Sequence, residues 1–268
     1  MSALAFDELA ADYDASFSRH PLGQVLRGLV RERVRIHFGA ARHILDLGCG
    51  TGEDSLDLAA RGAAVCAIDI SAAMVRTARA KAAAHPAGAR IEVHCAAMER
   101  LDAVLRERRF DAVLSNFGAL NCVADLSRLS AAVARHVQPG APLLWVLLGR
   151  HVPWEWLWFL LRGNARRAGR RLRRGGAHWR GLHVQYPTPG GVRAALQPHF
   201  EVEAIRPLGW VLPPSYAGDW LGARPGLLGA LARVERLGSD SGWLARLADH
   251  YIIEARRRPW PTDAEVRP

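Results

Sequence analysis

Short runs of consecutive apolar residues alternate along this chain with stretches whose apolar positions recur every three to four residues. The runs cover residues 43–47, 64–70, 90–94, 110–115 and 141–148 and read as strands. Residues 53–60, 71–84, 98–108 and 125–137 carry the helical period, with Ser71 as an N-cap and His85-Pro86 as a stop. Two helices, 5–15 and 22–38, precede the first strand, with Pro21 and Gly23 between them. Gln138-Pro139-Gly140 is a turn. Beyond residue 183 the pattern resumes with a helix at 189–197, a strand at 200–206, amphipathic helices at 220–237 and 243–248, and a last strand at 251–256. Strands apolar almost throughout need cover on both faces. Alternating with helices, they predict an α/β, doubly wound, mostly parallel sheet. There is no internal repeat.

Composition narrows the class. Half of the 268 residues are hydrophobic and 23% are charged, which excludes a disordered chain. Cys49, Cys66, Cys95 and Cys122 are too scattered for a disulfide scaffold or a zinc knuckle, so reduced cytoplasmic thiols and no metal are expected. The longest apolar stretch with aromatic weight, 152–161, contains Glu155 and is half the ~20 residues a spanning helix needs. The first fourteen residues hold four acids and no arginine, unlike a secretory or transit segment. Charge changes the picture more. Of the net +10, residues 150–183 supply +8, from nine arginines against Glu155. A near-neutral body therefore carries one basic insert.

The sharpest chemical signal is Ile44-Leu45-Asp46-Leu47-Gly48-Cys49-Gly50-Thr51-Gly52, a buried strand running into three alternating glycines and then a helix. Glycines let a ligand approach the backbone, and the helix start offers free N–H groups. A dinucleotide fingerprint reads GxGxxG; here the spacing is GxGxG and Glu53 follows directly. Carboxylates at Asp46 and Glu53 would repel a pyrophosphate and suit a ligand carrying an ammonium and a sulfonium. Asp69, at the end of the second strand, is placed to accept two ribose hydroxyls.

ILDLGCGTG and AIDIS resemble the glycine and second-strand motifs of the class I S-adenosylmethionine-dependent methyltransferases. CAAMERL and FDAVLSNFGALNCV fall where that family has its third- and fourth-strand motifs. The resemblance runs from about residue 40 to 149. It implies a Rossmann-like, seven-stranded sheet with an antiparallel last strand and S-adenosyl-L-methionine across the strands' carboxyl ends. It also implies that Gly48, Gly50 and Gly52 line the cofactor and that Asp46 lies near its amino group. Asp69 would hold the ribose, Ile70, Ala97 and Met98 the adenine, and Asn116 and Phe117 the methionine end. Tyr13, within Ala11-Asp12-Tyr13-Asp14, resembles the tyrosine of the N-terminal segment that folds over the cofactor. Cys95-Ala96-Ala97 lacks the acid the family usually places beside adenine, so a backbone N–H would serve there. Arg19 and Arg27 are candidates for the cofactor carboxylate, although a surface position is the plainer reading of both.

In-line methyl transfer requires an acceptor about 3 Å from the methyl carbon and exclusion of water, with a base only for a hydroxyl or ammonium acceptor. His151, after the fifth strand, is the candidate base; His183, Tyr186, His199 and His250 rank behind it. The chain then divides into an N-terminal helical cover (1–40), a cofactor-binding core (41–149), an aromatic and arginine-rich helical insert (150–186), the rest of the core (187–258) and a tail (259–268). Within the insert, Pro153 to Leu161 is apolar nearly all round and should be buried or inserted into something greasy. Three uses stand open: a lid over a hydrophobic acceptor, peripheral contact of residues 150–180 with anionic lipid at the inner membrane face, and RNA binding. The leading expectation is methylation of a small hydrophobic aromatic, polyketide or lipid-like acceptor at oxygen. An RNA methyltransferase and a non-catalytic cofactor-binding partner subunit are the alternatives.

Overall fold

Five parallel strands with helices packed on both faces set the frame of the computed structural model, which describes residues 2–173, 175–179, 181–214 and 218–259. Arg174 and Arg180 of the basic run, Ser215 and Tyr216, and residues 260–268 of the tail lie outside the described residues. The chain begins with α1 (Ser2–Tyr13), a π-helical turn (Asp14–Ser18) and α2 (Pro21–Phe38). The core follows as β1 (His43–Leu47), α3 (Glu53–Ala60), β2 (Ala64–Asp69), α4 (Ala72–Ala83), β3 (Ile91–Cys95), α5 (Leu101–Leu105), β4 (Ala112–Ser115), α6 (Leu126–Arg135) and β5 (Pro142–Leu148). The insert forms α7 (Pro153–Leu160), α8 (Ala165–Ala168) and a hairpin of β6 (Ala177–Trp179) and β7 (Leu182–Val184). The chain ends with α9 (Pro189–Leu196), β8 (Phe200–Leu208), α10 (Gly218–Gly222), α11 (Pro225–Leu237) and β9 (His250–Arg257).

Strand order is β3-β2-β1-β4-β5-β9-β8, with β9 antiparallel to both neighbours. This is the expected seven-stranded, mostly parallel sheet. Its order reverses between β1 and β4, and at such a switch point the loops leaving the two strands part and open a crevice. The β strands earn their place by burial on both sides: Leu45, Leu47, Val113 and Trp145 face one helical layer, Ile44, Ala67, Leu114 and Leu144 the other. Local caps fix the helices. The Ser71 hydroxyl accepts from Met74 N at 3.1 Å, Asp125 from Arg128 N at 2.9 Å and Thr188 from Gly191 N at 3.1 Å. Pro21 sits in the first turn of α2 rather than before it, where it has no N–H to lose.

Four expectations need correction. The 98–108 helix shrinks to a 3-10 turn and α5, because Arg106 turns to φ 52° and ends it. The 220–237 helix is two, α10 and α11, broken before Pro225, and 243–248 holds a 3-10 turn only. The insert is not wholly helical. In α7 the acid, Glu155, points inward while Leu157, Leu160 and Leu161 stay exposed. The β6–β7 hairpin packs Leu182 and Val184 on Ala5 of α1, and Asn121 ties its stem to the loop after β4 through Gln185 O at 2.7 Å. Among the described residues no helix is long and apolar enough to cross a membrane.

Candidate functional site

The three alternating glycines form a left-handed turn, with φ of +70° at Gly48, +54° at Gly50 and +82° at Gly52. Their surroundings differ. A Cβ on Gly48 would lie 2.2 Å from Ala119 Cβ and 2.9 Å from Met98 Cε, so the loops after β3 and β4 close on this glycine. A Cβ on Gly50 would meet nothing within 4 Å, leaving that face of the turn open. The N–H groups of Gly48 and Cys49 both donate to Ile68 O, at 2.7 and 3.1 Å, locking the turn to β2.

Asp69 ends β2 beside the open face. Its Oδ2 accepts from Gly50 N and its Oδ1 from Ser71 N, each at 2.9 Å. Each carboxylate oxygen has two lone pairs, so the group keeps accepting capacity for a ligand. Burial pushes this carboxyl up, against the three backbone N–H groups that favour its charge. Asp46, in mid-crevice, is buried and accepts from the Ser55 hydroxyl at 2.5 Å. Burial pushes it up to about 7, with Asp54 adding and Ser55 and Arg27 opposing. Ile70 is partly exposed at the strand end; Ala97 and Met98 are half-buried, and Ala96 N donates to Asp69 O at 2.9 Å.

The N-terminal segment folds onto this turn. Asp7 accepts from the Ser71 hydroxyl and from Ala73 N, at 2.5 and 2.9 Å. Asp14 accepts from the Thr51 hydroxyl at 2.6 Å and pairs with Lys81 at 2.5 Å. Tyr13 is carried between them, and burial pushes its hydroxyl up to about 12, with Asp54, Asp69 and Asp14 adding and Arg27 opposing.

At the other end of the crevice Asn116 donates to Asp54 at 2.9 Å and accepts from Phe117 N at 2.9 Å. That bond accompanies an unusual backbone, φ +49° at Phe117, a conformation that costs a non-glycine residue about 1–2 kcal/mol. The ring so directed meets Phe17 edge-on at 4.8 Å and His250 at 5.7 Å, with the Arg27 guanidinium 4.9 Å from its centroid. Arg27 is 6% exposed, not a surface arginine, and its partner is Asp54 of this chain. Burial opposes the Asp54 charge, but Arg27, Asn116 and Arg31 outweigh it and hold the carboxyl below its ordinary range.

The structure therefore brings Asp46, the glycines, Asp69, Met98, Asn116 and Phe117 to one crevice, with Tyr13 beside it. His151 is half-buried with its ring edge-on to Trp156 at 6.3 Å. The histidine against Phe117 is His250, whose Nδ1 lies 3.0 Å from Asp249. Burial disfavours the Asp249 charge, yet Arg171 and His250 hold that carboxyl far below the usual range. Asp54 and Phe17 were not singled out as site residues by the sequence, which ranked Arg27 and His250 only as secondary candidates. Cys66, Glu92 and His94 place donor atoms within 4.8 Å of one another, but Glu92 already pairs with Arg108 at 2.6 Å and burial pushes the Cys66 thiol up to about 11.

Residues 44–140 match the family model of the methyltransferase domain. A demethylmenaquinone methyltransferase of Symbiobacterium thermophilum is 31% identical over 138 residues, 50% of this chain and 54% of that protein. A ubiquinone biosynthesis O-methyltransferase of Idiomarina loihiensis is 31% identical over 147 residues, 54% and 58% of the two chains. The aligned region thus spans little more than half the length of these curated relatives. In fold, the CcbJ methyltransferase from Streptomyces caelestis superposes with a TM-score of 0.60 at 16% identity, covering 97% of this chain and 100% of that one. With the glycine turn, the terminal Asp69 and the sheet order all in place, residues 44–140 carry a methyltransferase domain, and the chain has the fold seen in a solved methyltransferase.

Proposed function

We propose that this protein transfers a methyl group from S-adenosyl-L-methionine to the oxygen of a small, hydrophobic, lipid-like or aromatic acceptor. The observation that carries the reading is Asp69: a buried carboxylate with spare lone pairs beside the unfilled face at Gly50. The donor set fits the cofactor. Asp69 would take the two ribose hydroxyls, Ile70, Ala97 and Met98 the adenine, and Asp46 the ammonium, while Asn116 and Phe117 border the methionine end. When bound, the cofactor supplies an electrophilic methyl on a sulfonium and leaves as a neutral thioether. The chain's own work is to place the acceptor and exclude water, for which Phe17, Phe117 and Tyr13 provide an aromatic wall.

A hydroxyl acceptor must also lose a proton. In this reading His250 takes it in place of His151. The His250 ring lies edge-on to Phe117 at 5.7 Å, which sets it at that end of the crevice. The names of the relatives, quinone-pathway methyltransferases and one of them an O-methyltransferase, support a hydrophobic acceptor and oxygen as the target. RNA is disfavoured by the arginine run itself, since Arg170 and Arg171 are spent on Glu155 and Asp249.

Incubation of the protein with methyl-labelled cofactor and cellular extract tests the reading. Label is expected in organic-extractable metabolites, and lost with Asp69→Ala. Label confined to RNA or protein overturns the acceptor class, and no turnover with intact cofactor binding favours the partner-subunit alternative.

A further inference from the structure

The first half of the insert has a construction that a lid alone does not require. Leu157, Leu160 and Leu161 follow the i, i+3, i+4 spacing of one helical face and are 53%, 56% and 76% exposed. The opposite face of α7 holds Glu155 and Phe159, both buried. Glu155 is gripped by Arg170 through two bonds of 2.8 and 3.0 Å and by Arg171 through one of 2.8 Å. Arg171 runs on to Asp249 at 2.7 Å and Gly149 O at 3.0 Å. Rolling the leucines inward would break this buried ion network, which strongly resists losing one partner. Their outward display is built in.

Charge says what the face meets. Glu155 is the sole acid between residues 150 and 186, and it is turned inward. Arg162, Arg166, Arg167 and Arg173 are exposed, Arg162 stacked on Trp158 at 3.6 Å and Arg167 lying 5.8 Å from the Phe159 ring. Three leucines beside four arginines with no exposed acid match an anionic bilayer, apolar groups entering the acyl boundary and guanidiniums meeting headgroup phosphates. An RNA backbone would use the arginines and find nothing for the leucines. We propose that α7 and the turn behind it dock this protein on anionic lipid.

The Arg171–Asp249 pair bolts this platform to the residue next to His250, so a membrane-dissolved acceptor would enter at the end of the crevice where Phe117 lies. That second clause rests on the hydrophobic-acceptor reading, whereas the docking does not.

Vesicle co-sedimentation without cofactor or acceptor separates the two. The wild type is expected to pellet with phosphatidylcholine vesicles containing phosphatidylglycerol, less so as salt rises, and not with phosphatidylcholine alone. Arg166→Gln with Arg167→Gln should weaken binding about thirtyfold, about fivefold per charge. Leu157→Asn, Leu160→Asn and Leu161→Asn together should weaken it about a hundredfold. All five positions are exposed, so unchanged thermal melting and cofactor calorimetry will show that the variants are folded. Equal pelleting of wild type and leucine variant, or retention of RNA in place of anionic vesicles, overturns the proposal.

Discussion

Asp46 offers the most exacting test of where the cofactor's ammonium lies. Its carboxyl is pushed up to about 7 from an ordinary 3.8, so near neutrality roughly half the molecules carry it protonated. If a cationic ligand needs the carboxylate, observed affinity follows the deprotonated fraction, about one half at pH 7 and about one tenth at pH 6. S-adenosylhomocysteine should therefore bind about fivefold more weakly at pH 6 than at pH 7, and release about half a proton at pH 7. Calorimetry in two buffers of different ionisation heat reads both quantities. Stability must move the other way. A carboxyl raised in the folded state keeps its proton where the unfolded chain has lost its own. The protein without ligand therefore loses up to about 1.4 kcal/mol per pH unit between its ordinary 3.8 and about 7, a ceiling near 4 kcal/mol. Asp46→Asn should abolish both slopes. Buffer-independent heats, or the same pH dependence in wild type and variant, would refute the placement of the ammonium and of the buried proton alike.

The glycine turn and the ion pair behind it make further demands. Gly50→Ala at φ +54° meets no neighbour, so it should cost about 1 kcal/mol in urea denaturation yet abolish S-adenosylhomocysteine binding; normal binding would move the cradle elsewhere. Gly48→Ala, with Ala119 Cβ 2.2 Å away, should instead lose folding itself. Asp54→Asn leaves the Arg27 guanidinium buried without a countercharge and should cost about 3–5 kcal/mol, measured by urea denaturation at pH 7; a cost below about 1 kcal/mol would count against the pair. Because the Asp54 carboxyl is held below its ordinary value, its contribution is present above 3.8 and disappears as pH falls through the lowered value.

What the sequence disclosed was local. β1 falls where its apolar run begins and ends, the Ser71 cap starts α4, and the glycine turn with Asp69 is covalently arranged over some twenty residues. What it withheld depends on tertiary partners. Residues 98–108 have helical period, but a left-handed Arg106 ends α5 early, and no pattern of apolar positions encodes that turn. Phe117 takes a positive φ although nothing in its residue type favours one. His250 ranks behind His151 in the sequence, and it is the pairing of Leu148 with His250 across β5 and β9 that sets it beside the loop after β4.

The arginines show the same division in charge. A composition of 36 basic residues, nearly all arginine, gives no reason to rank one above another. The fold ranks them by the acids it buries. Asp54 draws Arg27, Glu155 draws Arg170 and Arg171, and Glu254 draws Arg33 and Arg206, with Arg33 and Glu254 separated by 221 positions. A buried carboxylate is tolerated only with such partners, so each acid selects its arginines by position in space and not in sequence. Arg171 is the instructive case. It satisfies Glu155 on the insert and Asp249 on the core at once, and Asp249 in turn lies against His250. A residue that composition assigns to a solvated basic face thus ties the outer helix to the residue next to the histidine that faces Phe117.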